Sequence, residues 1–517
     1  MRNKIWIFFS LLCALCLLST GVVTEAQENS SSEIPEQVPL TEAYKNAKQV
    51  YTQLMYAVYL QSFNKDIKEA RNIYDTLVEQ APESAFVWYK RGQLLNIMQN
   101  IRRAEQDTRR ALELDPSHIP ATWQLAQILV KRASYSGRRD IKKVLKELEV
   151  LETLERVIEL DPDHLDAHHV LSDLAFQIGE YHTAETSYKA LTRILPFEPT
   201  FHERLGDIYD NLERPHEAID AYQRVIKIKP NDQNALRALG ELYLNIGKLT
   251  EARQSFEKVL TMMPQDFGGN LGMGLVLQAL AENPTQSSND NPSDESVDKL
   301  ELAESAETHL LRATSIAKER VKNSRDQSRR RHFQELANRA QYALVDVYIT
   351  FKNFEKAAEV FEKMLEDDPD DIVVIYGIGS IYQTMGDFKN AETYLQKTLA
   401  LQPTHKDALN GLGYLYAQQG KNLDEAEALI KRALERSPAN GAYLDSLGWV
   451  FFKQGKFAEA VITLERANQQ LPNSVEILMH LGDAYNKTGE PEKARSVWQQ
   501  AQTLEPDNSD IKERLKQ

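Results

Sequence analysis

Cysteine is almost absent from this 517-residue sequence, since only Cys13 and Cys16 occur and both lie near the N-terminus. Because the rest of the chain has no cysteine, it cannot contain a disulfide scaffold, a zinc–cysteine site or a thiol nucleophile. Positive charge is outnumbered by negative charge, because 61 Lys and Arg residues against 76 Asp and Glu residues give a net charge of −15. A surface this acidic repels phosphate backbones, so we expect no nucleic-acid partner.

Motifs of the common catalytic classes are missing as well. The sequence has no HExxH, no GxSxG and no phosphate-binding GxxxxGK[ST] segment, and its glycine-rich run at 268–275 falls within a predicted helix. His164 and His168, and likewise His169 and Asp173, are four residues apart on a predicted helix. This spacing suits either a metal site or histidines that pack in a core or face a groove. We expect a chain that is not an enzyme and needs no metal or cofactor.

The first 26 residues have the layout of a secretory signal peptide. Arg2 and Lys4 precede an uncharged, mainly apolar stretch over 5–24, and Ala26 completes a small-residue cleavage pattern. Because twenty uncharged residues are also long enough to span a bilayer, an uncleaved membrane anchor over 5–24 is the alternative. Residues 27–40 follow as a polar tether. We expect an exported chain, periplasmic or attached to the envelope, that begins near Gln27 if the signal is cleaved.

A period of 34 residues runs from Tyr51 almost to the C-terminus. It carries a small residue at position 8, alanine at position 20 and proline at position 32, together with two stretches of apolar residues at helical spacing. Each period therefore predicts two amphipathic helices that cross closely at the small residues and end at the proline. One hairpin cannot bury its apolar faces alone, so the hairpins must stack. The residues that define the frame are Gly206, Ala218, Pro230, Gly240, Ala252, Pro264, Gly379, Ala391, Pro403, Gly413, Ala426, Pro438, Gly448, Ala460, Pro472, Gly482, Ala494 and Pro506.

This pattern resembles the tetratricopeptide repeat over residues 51–508. The resemblance implies an all-α, right-handed superhelical solenoid of about twelve helix hairpins, whose first helices line a groove for a partner protein. The predicted segments are repeats 1–6 with the first helix of repeat 7 over 41–281, an acidic flexible insertion over 282–300, the second helix of repeat 7 with a basic extension over 301–337, repeats 8–12 over 338–508 and a C-terminal capping segment over 509–517. The insertion would separate a seven-repeat arm from a five-repeat arm.

The basic extension contains Arg329, Arg330 and Arg331 in succession. It is either a solvated helix end, a docking patch for an acidic partner or anionic lipid, or an intramolecular partner of the acidic insertion. The sequence leaves these three interpretations open.

Candidate partner-binding residues follow from the resemblance, since positions 2, 5, 9, 12 and 13 of the first helices face the groove in that family. Exposed aromatic side chains on a concave wall are typical anchors for a protein partner. The alternative is that some of them pack against neighbouring helices. The candidates are Tyr89, Trp123, Tyr342, Tyr376, Tyr414, Asp445, Trp449, Phe452, Met479 and Asp483.

The last hundred residues are also similar to a group of Gram-negative envelope tetratricopeptide proteins. The shared segments are LDEAEALI at 423–430, YLDSLGWV at 443–450 and HLGDA at 480–484. That group includes outer-membrane lipoproteins, one kind of which is the adaptor of a periplasmic carboxyl-terminal processing protease. The resemblance implies an envelope adaptor that holds a protease or hydrolase. The alternative is a structural scaffold of an envelope assembly, export or polysaccharide-secretion machine.

Overall fold

The computed structural model describes residues 42–64, 66–135, 140–282 and 299–516. Within these ranges all regular secondary structure is helical and no residue lies in a β-strand. The predicted signal peptide, the polar tether and residues 283–298 of the acidic insertion lie outside the described residues. No helix in the described ranges combines the length and the apolar character needed to cross a bilayer.

Two compact units divide between Ala167 and His168. The helices up to this division are α1 (Glu42–Tyr59), α2 (Ile67–Gln80), α3 (Ala85–Ile97), α4 (Ile101–Leu114), α5 (Ile119–Ser134), α6 (Ile141–Glu147) and α7 (Val150–Leu160), with a π-helical turn at Leu60–Asn64 after α1. The division falls within α8 (Leu165–Gln177).

The second unit continues the same alternation of helices to the C-terminus. Its helices after α8 are α9 (Tyr181–Ile194), α10 (Pro199–Asn211), α11 (Pro215–Ile228), α12 (Gln233–Asn245), α13 (Leu249–Met262), α14 (Phe267–Glu282), α15 (Lys299–Asn323), α16 (Gln327–Thr350), α17 (Phe354–Asp367), α18 (Ile372–Thr384), α19 (Phe388–Leu401), α20 (Lys406–Gln419), α21 (Leu423–Arg436), α22 (Gly441–Lys453), α23 (Phe457–Gln470), α24 (Val475–Lys487), α25 (Pro491–Leu504) and α26 (Ser509–Arg514).

Consecutive helices pair into hairpins, and each hairpin packs on the next within its unit. Two helices stand outside the pairing: the short α6 fills the extra length between α5 and α7, and α26 packs on the last hairpin. The predicted all-α solenoid of helix hairpins is confirmed.

Close approach of the two helices in a hairpin explains the small residue at position 8. An added Cβ at Gly240 would lie 2.7 Å from the ring of Phe256, and one at Gly482 would lie 2.2 Å from the indole of Trp498. The alanines of position 20, such as Ala252 and Ala494, are fully buried. The large side chain of the second helix thus occupies the volume that the glycine of the first helix leaves free.

The predicted bounds of repeat 8 are wrong. Helix α15 ends at Asn323 and α16 begins at Gln327, rather than at 338, so the basic run predicted as one extension is divided between two helices. Asp326 causes the break, because its carboxylate accepts a hydrogen bond from the backbone N–H of Arg329 at 2.8 Å and so caps a new helix.

The helices on the two sides of the acidic insertion pack against each other. Gly274 in α14 leaves room for Leu310 in α15, where an added Cβ would lie 2.6 Å from Leu310 Cγ. Gln278 Nε2 also donates a 2.7 Å hydrogen bond to Asp346 Oδ2 in α16. These helices belong to one compact unit, so the insertion does not divide the chain into the predicted seven-repeat and five-repeat arms. The contact between buried Gly274 and Leu310 joins the helices on the two sides of the insertion.

Candidate functional site

Helices α20, α22 and α24 are the first helices of the last three hairpins, and each contacts the next along one face of the second unit. The hydroxyl of Tyr414 in α20 donates a 2.5 Å hydrogen bond to Glu476 Oε1 in α24. This bond passes over α22, since its two residues belong to hairpins that are not adjacent. The face of these three helices is therefore concave here, and we call it the C-terminal face.

An aromatic stack forms the centre of the C-terminal face. The ring of Trp449 lies 4.8 Å from that of Phe452, with only 5° between their planes, and 4.1 Å from the imidazole of His480. Lys453 Nζ lies 4.7 Å from the centroid of the Trp449 ring. Trp449 and Phe452 are half-buried, so each retains surface for a partner. Stacked rings of this kind are rigid and lose little conformational entropy when they are covered.

Asp445 and His480 form a buried pair beneath this stack. They are 5% and 9% exposed, and His480 Nδ1 lies 3.0 and 3.1 Å from the two carboxylate oxygens of Asp445. Burial alone would lower the pKa of His480, but the adjoining Asp445 carboxylate outweighs burial and raises that pKa above its ordinary value. Asp445 was predicted to face a partner directly. Instead, its side chain is engaged by His480 and lies below the exposed surface.

A second ion pair joins the C-terminal helix to the same face. Arg514 in α26 donates to both carboxylate oxygens of Asp483, at 2.7 and 2.9 Å. Arg514, Met479 and Trp449 line one cavity of about 360 Å³, to which Glu476 and His480 also contribute. Met479 therefore lines this cavity, whereas the carboxylate of Asp483 already has a cationic partner within the chain.

Two predicted candidates in earlier repeats of the second unit pack against neighbouring rings. Tyr342 lies 5.9 Å from Phe361 in an edge-on arrangement, and Tyr376 lies 4.9 Å from His405. Both tyrosines are half-buried. They support the hairpin stack and leave part of each ring exposed.

Tyr89 and Trp123 lie in the first unit, next to a different cavity of about 540 Å³. Tyr89 is only 9% exposed and lies 5.0 Å from His118, and Trp123 lies 4.9 Å from His164. Tyr89 is therefore mainly a packing residue. Trp123 is half-buried and keeps surface towards the cavity.

His118, His164 and His405 share a role that the sequence did not predict. In each, Nδ1 accepts a hydrogen bond from the backbone N–H three residues later, at 3.1 to 3.2 Å, so each histidine caps the first helix of a hairpin. The same three rings pack against Tyr89, Trp123 and Tyr376 of the preceding hairpins.

The suggested histidine cluster at 164–173 is not brought together as one metal site. His164 caps α8, His168 is buried, and His169 Nδ1 lies 3.5 Å from the carboxylate of Asp173 on the exposed surface. The four-residue spacing in the sequence does not distinguish a helix cap, a buried side chain and an exposed ion pair from one another. The sequence signal that was missed lies elsewhere: Glu476 occupies position 2 of its period, one of the positions used to choose the candidates, and His480 lies four residues later.

Models of the tetratricopeptide repeat match five segments that together make up more than half of the sequence. These segments are 87–118, 203–267, 324–372, 376–441 and 451–516. The chain belongs to the tetratricopeptide repeat family. The C-terminal face is thus the first-helix face of three successive tetratricopeptide repeats.

Several solved structures are similar to this tetratricopeptide chain. The Cut9–Hcn1 hetero-tetramer of the APC/C is 12% identical, with 92% of this chain and 96% of that chain covered and a TM-score of 0.39. Yeast Tom70 is 13% identical over 91% and 95%, with a TM-score of 0.37. A tetratricopeptide repeat protein of Parabacteroides merdae is 16% identical over 62% and 97%, with a TM-score of 0.35. No curated protein sequence matches the chain significantly.

Proposed function

We propose that this chain is a non-catalytic adaptor of the bacterial cell envelope, which holds a partner protein on its C-terminal face. Tetratricopeptide repeats are protein-interaction scaffolds, which supports a protein partner. The observation that carries the proposal is the half-buried stack of Trp449 and Phe452 beside the cavity that Met479 lines. Large apolar side chains next to a concavity are the usual anchors of a protein interface.

The proposed partner is an envelope protease or hydrolase. This choice follows from the similarity of the last hundred residues to envelope adaptors, and the proposed export follows from the signal-like residues 1–26. Cell fractionation and N-terminal sequencing test the location. We expect an envelope or periplasmic chain that begins near Gln27, whereas a full-length chain in the cytosol would contradict export and one in membranes would favour the anchor.

Site-specific photo-crosslinking in intact cells tests the face. A crosslinking residue at Met479 should capture an envelope protease or hydrolase, identified by mass spectrometry. The matched control is Ile462, a 61% exposed residue on the second helix of the preceding hairpin. Equal capture of several proteins from both positions would favour the alternative, a multiprotein scaffold.

Binding measurements with the captured partner then test the anchor. Trp449→Ala should weaken binding by about 2 kcal/mol, which is about 30-fold in Kd, because hot-spot aromatics contribute at least this much. Ile462→Ala should leave Kd within about twofold. An unchanged affinity of the Trp449 variant, with its helicity intact, would move the site to the first unit around Trp123.

A further inference from the structure

Asp445, Glu476 and His480 converge between the last two hairpins. Glu476 and His480 are four residues apart in α24, so they project from one side of that helix, and Asp445 reaches them from α22. One ligand atom from each residue lies within 4.8 Å of the others. In the part of the chain that the structure describes, this is the one group of His, Cys, Asp or Glu side chains that converges in this way.

The charge of the group is unbalanced. Two carboxylates face one imidazole, so even a protonated His480 leaves a net negative charge on the group, at the exposed Glu476 beside the buried Asp445 and His480. The neighbouring cations have other contacts: Arg514 binds Asp483, and Lys453 Nζ lies over the Trp449 ring. When His480 is neutral, as a metal ligand must be, the buried Asp445 carboxylate has no charged partner within the group, and a buried charge is costly unless a counter-charge compensates it. A divalent cation would supply that charge.

Two neighbouring side chains contact members of the group. The hydroxyl of Tyr414 donates to one oxygen of Glu476, which leaves the other oxygen available as a ligand. Trp449 stacks on the imidazole of His480 with 17° between the ring planes and so limits its rotation. Hydrogen-bonded carboxylates and oriented imidazoles are what metal sites in proteins use around their ligands.

The geometry needs one adjustment. Ligand atoms on a tetrahedral zinc ion are about 3.3 Å apart, given bonds of about 2.0 Å. His480 Nδ1 and Asp445 Oδ1 already meet this spacing at 3.0 Å, and on binding the ion Nδ1 gives up its hydrogen bond to Asp445 and releases to solvent the proton it carries. Glu476 must move closer, and its exposed carboxylate on a flexible side chain has the freedom to do so. The adjoining cavity of about 360 Å³ has room for a water molecule as the fourth ligand.

We propose that Asp445, Glu476 and His480 form a binding site for a divalent transition-metal ion, with Zn²⁺ as the ion expected from one nitrogen and two oxygen ligands. The bound ion links α22 to α24 and so ties the last two hairpins together beneath the aromatic stack. This inference does not rest on the proposed adaptor function, because it is read out by metal binding to the isolated chain.

Calorimetric titration of ZnCl2 into the untagged full chain, after chelation and dialysis, tests the site. We expect one ion per chain, and Glu476→Gln should weaken its binding at least tenfold, since a metal ligand is lost. Glu476 is exposed, so this variant should keep its fold, which circular dichroism checks. His169→Gln is the matched control, because His169 also lies four residues from a carboxylate but has only one such partner. The affinity of this variant for Zn²⁺ should stay within twofold of that of the native chain.

Cobalt provides a second, spectroscopic readout of the same site. Co²⁺ bound by one nitrogen and several oxygens in a four- or five-coordinate site absorbs visible light more strongly than hexaaqua Co²⁺, and Zn²⁺ should displace it. The band should appear in the native chain and in the His169 variant and disappear in Asp445→Asn and Glu476→Gln. The proposal is overturned if no ion binds, or if Zn²⁺ binds with equal affinity to the native chain and to both ligand variants.

Discussion

Replacing Gly482 by alanine would place a methyl group against a rigid ring in the last hairpin. The new carbon would lie 2.2 Å from Nε1 of Trp498 and 2.5 Å from its Cδ1. Trp498 is 4% exposed, so its indole cannot turn aside without displacing other buried side chains. Overpacking of a core costs about 1–3 kcal/mol, and a contact this short favours the upper end. The higher helix propensity of alanine offsets about 1 kcal/mol. We expect a net loss of about 2 kcal/mol.

Gly411→Ala is the matched control, because Gly411 also lies inside a first helix. Its nearest atom would be Leu395 Cδ2 at 3.4 Å, an ordinary van der Waals contact. With no steric cost, the gain in helix propensity should raise stability by up to about 1 kcal/mol. The same substitution should therefore have opposite signs at the two positions.

Hydrogen exchange with mass spectrometry is the suitable assay, because repeat hairpins unfold as coupled local units and a single global transition would average them. Peptides from α24 and α25 should lose protection in the Gly482 variant, and peptides from α20 should gain it in the Gly411 variant. Equal protection of α24 in the native chain and the Gly482 variant would refute the explanation of position 8 as room for the ring of the second helix.

Three further predictions concern capping, pH and proteolysis. His405→Ala should destabilise α20 by about 1 kcal/mol in exchange measurements, whereas His405→Asn should retain most of the stability because asparagine also accepts the capping hydrogen bond. Hydrogen bonds from Lys431, and then from Lys456, lower the pKa of Glu427 to about 2. Glu427→Gln should therefore reduce stability at neutral pH, and the difference from the native chain should disappear as pH falls from about 4.5 to about 2, where the native carboxylate takes up its proton. Limited proteolysis should cut first within 283–298, whose Ser-, Asn- and Asp-rich composition is typical of segments without a core, and a first cut elsewhere would contradict this.

The fold could be predicted from the sequence because the same pattern of small and large residues recurs in successive periods. Each hairpin must solve the same packing problem, so Gly240 with Phe256, and Gly482 with Trp498, recur at the same spacing along the chain. A single period would be ambiguous, but many periods with the same small and large positions leave one architecture. The start of α16 could not be predicted from this frame, because it depends on the capping side chain of Asp326 rather than on the period.

The candidate site could be predicted only in part. The frame identifies which residues lie on the first helices, and it selected Trp449, Phe452 and Met479, which do line the C-terminal face. It does not say which of them pair within the chain. Asp445 is engaged by His480 and Asp483 by Arg514, and both contacts join residues more than thirty positions apart. Such pairs depend on side-chain positions across hairpins, which a pattern within one period does not contain.

The buried ionisable residues Asp445 and His480 lie at positions that the repeat does not require for packing. Position 6 of the first helix is small in the six repeats before the last one, as at Gly377, where an added Cβ would lie 2.6 Å from the ring of Phe361. In the last repeat this position carries His480, which is buried against the Asp445 carboxylate. An apolar side chain would pack there without the cost of desolvating two ionisable groups. Because the six preceding repeats pack with a small residue at this position, the change to a buried histidine paired with Asp445 is an argument that the group between α22 and α24 serves a function, which the metal titration tests directly.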